Sequence, residues 1–165
     1  MTRPADRAIV AGVYHVWHRH TAGPDPVRQF SVFIENKVGR LHDLVGLLAK
    51  HDVHLMALTT IDTTDTALDR MIVDDPDRAR ALMRENDFHF TECEVLAVEF
   101  SDQAQLTAVL GALVTVEVNI HYAYAFLVRP HGRSALALSV EDNEIATSEL
   151  NRAGFKVLTQ RDISR

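Results

Sequence analysis

The sequence predicts an α+β fold: two ferredoxin-like βαββαβ units side by side, each an antiparallel sheet with its helices on one face. Three observations carry this. First, the chain repeats itself. Leu41, Leu48 and Leu55 fall on Leu106, Leu113 and Ile120 at an offset of 65; after a two-residue insertion Val73, Asp75, Ala79 and Phe88 fall on Val140, Asp142, Ala146 and Phe155 at 67. Such a period exceeds the ~20–50 residues of a solenoid unit and suits a small domain. Second, each copy alternates between the two-residue apolar period of strands and the 3.6-residue period of helices, in the order strand, helix, strand, strand, helix, strand. Third, 47% hydrophobic and 24% charged residues over 165 positions is an ordinary globular composition. Either half alone would bury too little surface to be robust, whereas two halves sharing an interface bury much more.

The first 26 residues match neither copy and end in the breaker run Gly23-Pro24-Asp25-Pro26, so 1–26 is expected to be an extension or linker. Residues 27–93 and 94–165 are expected to be the two units. In the first, Arg28 to Glu35 reads as a strand with Phe30, Val32 and Ile34 on one face. Leu41, Leu44, Val45 and Leu48 make Arg40 to His51 an amphipathic helix. Val53 to Ile61 is the second strand, with Val53, Leu55, Ala57 and Thr59 expected on one side, and Leu68 to Val73 is the third. Asp75-Pro76 opens the second helix, Asp as cap and Pro in the first turn. Phe88 to Phe100 is long enough to close the first unit and begin the second. There Leu106 to Val114 is the helix, Val118 to Val128 and Ser134 to Val140 the next strands, Asp142 to Arg152 the second helix, and Phe155 to Thr159 the last strand.

A net charge of −6 at pH 7 and the lack of a basic stripe argue against nucleic acid. No apolar run approaches the ~20 residues of a bilayer span, and no signal-peptide core is evident. The single cysteine, Cys93, lies in an alternating strand pattern and excludes an intrachain disulfide; a cytoplasmic protein fits best. No nucleophile elbow, phosphate loop or dinucleotide fingerprint is present, so neither an enzyme nor a cofactor is expected.

The most informative short segment is Glu35-Asn36-Lys37-Val38-Gly39-Arg40-Leu41. It joins a strand to a helix N-terminus, where free amides and the helix dipole favour an anion. Gly39 lets backbone approach a ligand, and Asn36 can donate and accept. A zwitterionic amino acid suits such a loop; a plain turn needing Asn and Gly is the alternative. The segment resembles the signature of ACT domains, whose usual form is Asn-x-Pro-Gly-x-Leu, with Val38 here replacing the proline. Val118-Asn119-Ile120-His121-Tyr122 resembles the family's second strand. Leu96-Ala97-Val98-Glu99 and Tyr122-Ala123-Tyr124-Ala125-Phe126 are similar to small proteins of two tandem ACT domains. The resemblance covers about residues 28–160.

It implies a regulatory sensor, with an amino acid held at a seam between the strand-helix loop of one domain and the second strand of its neighbour. Carried over, the ligand residues are Asn36, Lys37, Val38, Gly39, Arg40 and Leu41 with Asn119 and Ile120. The reciprocal site, Ser101, Asp102, Gln103 and Ala104 with His54, has lost its glycine, and Asp102 would repel a carboxylate; it is expected to be degraded. Implied partners are a small amino acid or related metabolite, a second copy in a homodimer, and a regulated enzyme. Two rivals stand beside this reading. One is an interaction or dimerisation module without ligand. The other is a small metal-dependent enzyme using His15, His18 and His20, although no acidic or thiol ligand is adjacent and no metal site is expected. Tyr122 and Tyr124 share a strand face, as packing residues or as hydroxyls lining a cavity. Asp62, Asp65 and Asp69 are read as a solvated acidic loop, and Glu92 and Glu94 as a wet strand face.

Overall fold

A computed structural model of the chain describes residues 25–35, 37–62 and 66–165. The extension to residue 24, with His15, His18 and His20, lies outside them, as do Asn36 and Asp65. The first half runs β1 (Val27–Glu35), α1 (Arg40–Lys50), β2 (Leu55–Asp62), β3 (Thr66–Val73), α2 (Pro76–Glu85) and β4 (His89–Phe100). Next come α3 (Gln103–Thr115), β5 (Ile120–Ala125), β6 (Ser134–Val140), α4 (Asn143–Arg152), β7 (Val157–Leu158) and α5 (Gln160–Ile163).

The strands form one antiparallel sheet in the order β2-β3-β1-β4-β6-β5. β4 belongs to both halves and runs unbroken through positions 93 and 94. Its residues 89–95 pair with β1, and 96–100 pair with β6. β7 pairs with Ala97 and Val98, on the edge opposite β6 and end to end with β1. The sheet curls until its outer strands touch: Ala57 bridges Phe126, and the Leu127 amide donates to the Met56 carbonyl at 2.8 Å.

Alternation along the strands divides the core in three. Phe30, Val32, Leu44, Leu48 and Met83 fill the helix side of the first half; Leu96, Val98, Leu113, Leu138 and Leu150 fill that of the second. Each such fully buried side chain contributes about 1.5–3 kcal/mol relative to exposure. The third cluster lies inside the curl and joins the halves. It sets four alanines, Ala57, Ala97, Ala135 and Ala137, among larger aliphatic residues such as Ile72, Leu158 and Ile163 and two tyrosines. At its centre is Gln29, with no exposed surface. Its carbonyl oxygen accepts from Tyr124 Oη at 2.8 Å; its amide nitrogen donates to Tyr122 Oη at 2.8 Å, to Ser31 Oγ at 3.2 Å and to Cys93 Sγ at 3.4 Å. Arg70 stacks 3.9 Å over the Tyr122 ring. Burial holds the Cys93 thiol above its usual pKa, so it stays protonated and inert. The tyrosines are therefore packing residues whose hydroxyls are satisfied within the protein.

The duplication extends to backbone irregularities. The β2 ladder slips between Leu55 and Ala57, the β5 ladder between Ile120 and Tyr122. Asp52 and Glu117 both take positive φ, as do Asp87 and Gly154. Each pair is related by the repeat offset. The β2 slip corrects the expected single face: Leu55 packs with the helix-side core, Ala57 inside the curl. Three further expectations are corrected. The second strand of the second half ends at Ala125, three residues short, because the chain turns there to meet β2. The last strand has only two residues, since Thr159 starts α5 with a capping box to Asp162. Glu92 lies under α2 as a bidentate partner of Arg80, at 2.5 and 2.7 Å, not on a wet face.

Asp69 is also misplaced by the loop reading. It is fully buried in β3, one oxygen accepting from Thr60 Oγ1 at 2.5 Å and the other without a partner. Desolvation raises its pKa above 3.8. A carboxyl with a raised native pKa binds its proton more readily when folded. Stability therefore declines as pH rises from near 3.8 through the native value, and Asp69 is a liability at neutral pH. Asp69→Asn is expected to flatten this part of the stability–pH curve in urea titrations. Tyr124→Phe, which leaves the buried Gln29 oxygen unsatisfied, should lower unfolding free energy by about 1–3 kcal/mol with an unchanged denaturant slope.

Candidate functional site

The turn between β1 and α1 is built around Gly39, at the helix N-cap with φ 91°. The Lys37 amide donates to the Glu35 carbonyl at 2.7 Å, and Asp43 N–H closes the first helical turn on Gly39 O at 2.8 Å. The amides of Leu41 and His42 have no acceptor among the described residues. Gly39 offers no capping side chain, and a Cβ there would meet nothing within 4 Å. Val38 stands fully exposed. Lys37 pairs with Glu35 at 2.5 Å and holds that carboxyl below its usual range. Arg40 lies 5.5 Å over the Phe88 ring, its guanidinium 3.9 Å from Asp43, and Leu41 packs on the first core. The result is an open, cation-flanked helix terminus.

The twin loop at α3 is closed. Asp102 accepts from the Gln105 amide at 2.9 Å and from Ser101 Oγ at 3.0 Å; the Gln105 contact holds its carboxyl below the usual range. Gln105 turns back to accept from the Ser101 amide at 3.0 Å and from Arg133 at 2.8 Å. Gln103 and Ala104 are the exposed surface of this filled terminus. Asp75, Asp142 and Thr159 likewise cap α2, α4 and α5. Among the described helices, α1 alone lacks a side-chain cap.

The second-strand residues are twins too. Asn119 donates from its side-chain amide to Glu141 at 2.8 Å while the Glu141 amide donates to Asn119 O at 2.9 Å. His54 meets Asp74 through Nδ1 at 2.8 Å and through its backbone amide at 2.7 Å; the Asp74 amide donates to His54 O at 3.1 Å. Motif matching did not find Glu141 and Asp74, although both follow an apolar strand at the repeat offset. Asn119 and Ile120 are exposed.

Sheet register does not bring loop and second strand together within one chain. Val73 and Val140, next to the two pairs, are both level with Glu94 in the middle of β4. The α1 loop lies beyond His89 and the α3 loop beyond Phe100, at opposite ends of that strand. At ~3.3 Å per residue, either loop is roughly 16–20 Å along the sheet from both pairs. Among the described residues no hydrogen bond or ion pair links Lys37–Leu41 to Asn119, or Ser101–Ala104 to His54. His54 instead opens onto a cleft of about 420 Å³ walled by both halves.

Comparison with known proteins gives the family and the fold. A family profile described as an ACT domain pair matches residues 26–163. A solved structure from Bacteroides thetaiotaomicron is similar at TM-score 0.76 and 28% identity, covering 85% of this chain and 96% of that one. The ligand-free regulatory subunit of aspartate kinase from Thermus thermophilus aligns at TM-score 0.56 and 11% identity, over 79% of this chain and 91% of that one. Its Thermus flavus counterpart aligns at 0.53 and 10%, over 79% and 94%. No functionally curated protein matches the chain.

Two glycines of this region should respond to alanine with opposite signs. Gly39→Ala forces a Cβ into a left-handed conformation and should cost about 1–2 kcal/mol. Gly46→Ala, inside α1 with open space around it, should stabilise by about 0.5–1 kcal/mol. Thermal and urea unfolding measure both.

Proposed function

The chain belongs to the family of ACT domain pairs, and on that premise we propose that it is a regulatory module that binds a small amino acid or related metabolite and is not itself an enzyme. The observation that carries this reading is the contrast between the two repeat loops. The α1 terminus leaves its amides open beside Lys37 and Arg40, whereas Asp102 fills the equivalent place at α3. A ligand carboxylate would take the free amides, as the loop of Lys37, Val38, Gly39, Arg40 and Leu41 allows. Asn36 completes that loop in sequence. Asn119 and Ile120 lie too far along the same chain to share this ligand, so a second copy supplies them. A two-fold dimer pairs each loop with the partner's Asn119 once per subunit. The carboxylate of Glu141, already beside Asn119 at 2.8 Å, would receive the ligand's ammonium. Ligand at such a junction shifts the pairing equilibrium by its differential affinity, and a regulated enzyme would sense that shift.

Val38 in place of the usual proline, bare on the surface, favours the second reading, an interaction module that needs no ligand. Thermal shift with each of the twenty amino acids separates the two. A ligand at 100 times its Kd adds about 2.7 kcal/mol, roughly 5–10 °C for a chain of this size. At least one amino acid should produce such a shift, together with a change in sedimentation. Lys37→Asp, which replaces a flanking cation by the residue found at the same repeat position of the second half, should abolish it. No response to any amino acid at millimolar concentration leaves the interaction module standing.

A further inference from the structure

The cleft beside His54 is separate from the α1 loop, and its chemistry is different. One wall is β2 with Leu55 and Met56; the other is the turn after β5, with Val128, Arg129 and Pro130. Ile163 and Arg165, at and after the end of α5, close its floor. Two carboxylates line it, and both are already committed. Asp74, 5% exposed, accepts from the His54 amide and ring and lies 3.7 Å from Arg165. Asp162 accepts from the Thr159 amide at 2.8 Å and lies 3.2 Å from Lys156. Arg129 is different: among the described residues its guanidinium has no acidic partner. The cleft thus combines an arginine without an acidic partner among the described residues and several aliphatic side chains.

We propose that this cleft binds a small carboxylate with a compact aliphatic body. The carboxylate sits on the Arg129 fork, which matches two parallel N–H···O bonds. The hydrocarbon lies against Met56, Val128 and Pro130, shedding water from a surface the fold leaves partly exposed. About 420 Å³ admits such a molecule with room for bound water. A bare inorganic anion would leave the aliphatic wall unused, and a cation of the same shape would face Arg129. Because the walls come from opposite halves, the ligand bridges them. The site stands whether or not an amino acid binds at α1.

Met56 is a reporter inside the site. Of the other described methionines, Met71 and Met83 are fully buried in the first core. In the full chain with 13C-methyl methionine, 4-methylpentanoate is expected to move the Met56 methyl resonance saturably while Met71 and Met83 hold still. The matching amine, 4-methylpentylamine, and inorganic phosphate should not move it. Arg129→Gln should weaken the carboxylate at least tenfold, and Arg84→Gln, an equal loss of charge on α2, should leave it unchanged. Backbone amide spectra establish that both variants are folded. No Met56 shift with the carboxylate, an equal shift with the amine or phosphate, or binding that survives Arg129→Gln would overturn the proposal.

Discussion

β4 is hydrogen-bonded to β1 along its first seven residues and to β6 along its last five, so one strand must finish one sheet and start another. Everything else in the molecule adapts to that requirement. The two helix-side cores cannot lie on separate bodies, because the strand beneath them is continuous. The inner faces are drawn together as the sheet curls, and the space between them is small. Four alanines let the inner faces approach, and Gln29 holds Tyr122 and Tyr124 in place by hydrogen bonds. A buried amide costs stability unless every polar atom is paired. Here the amide finds its partners on both halves, so the seam has a single register rather than a slippery apolar contact.

Most of this architecture could be read from the sequence, because it is set by local pattern. Alternating Phe30, Val32 and Ile34, the helical spacing of Leu41, Leu44 and Leu48, and the Asp75-Pro76 start are short-range signals whose meaning does not depend on distant residues. β6 was expected at Ser134 to Val140 and is found there. The errors share a cause. β5 stops at Ala125 because of β2, a strand about 70 residues earlier in the chain. The side chain of Asp69 is buried because β3 has a strand on either side of it, which residue type alone does not reveal. The bulge at Leu55 comes from ladder geometry, which composition does not encode. Thr159-x-x-Asp162 is the exception: its signal is local, yet Thr159 was assigned to the last strand and α5 was not expected.

The site is harder to read than the fold, for the same reason. The loop at Gly39 carries its own chemistry and was recognisable from seven residues. Its complement is not local. Offsets of 65 and 67 correctly identify Asn119 and His54 as twins, but the place of each twin depends on the path of β4. The physical contrast between the loops was partly visible: Asp102 was expected to repel a carboxylate, and its own carboxylate accepts from the Gln105 amide at the start of α3. What it adds is a reason for the loss. A self-capped helix gains stability that α1, without a side-chain cap among the described residues, forgoes.

The end-to-end placement of β1 and β7 on one edge of β4 has a consequence of another kind. β1 takes that edge as far as Val95, leaving only the stretch beyond it for the closing strand of the second half. Two identical domains fused in this way could therefore never have remained identical. One keeps a full-length strand along that edge of β4 and the other accepts a stub of two residues. The inequality of the halves is thus a property of the topology itself.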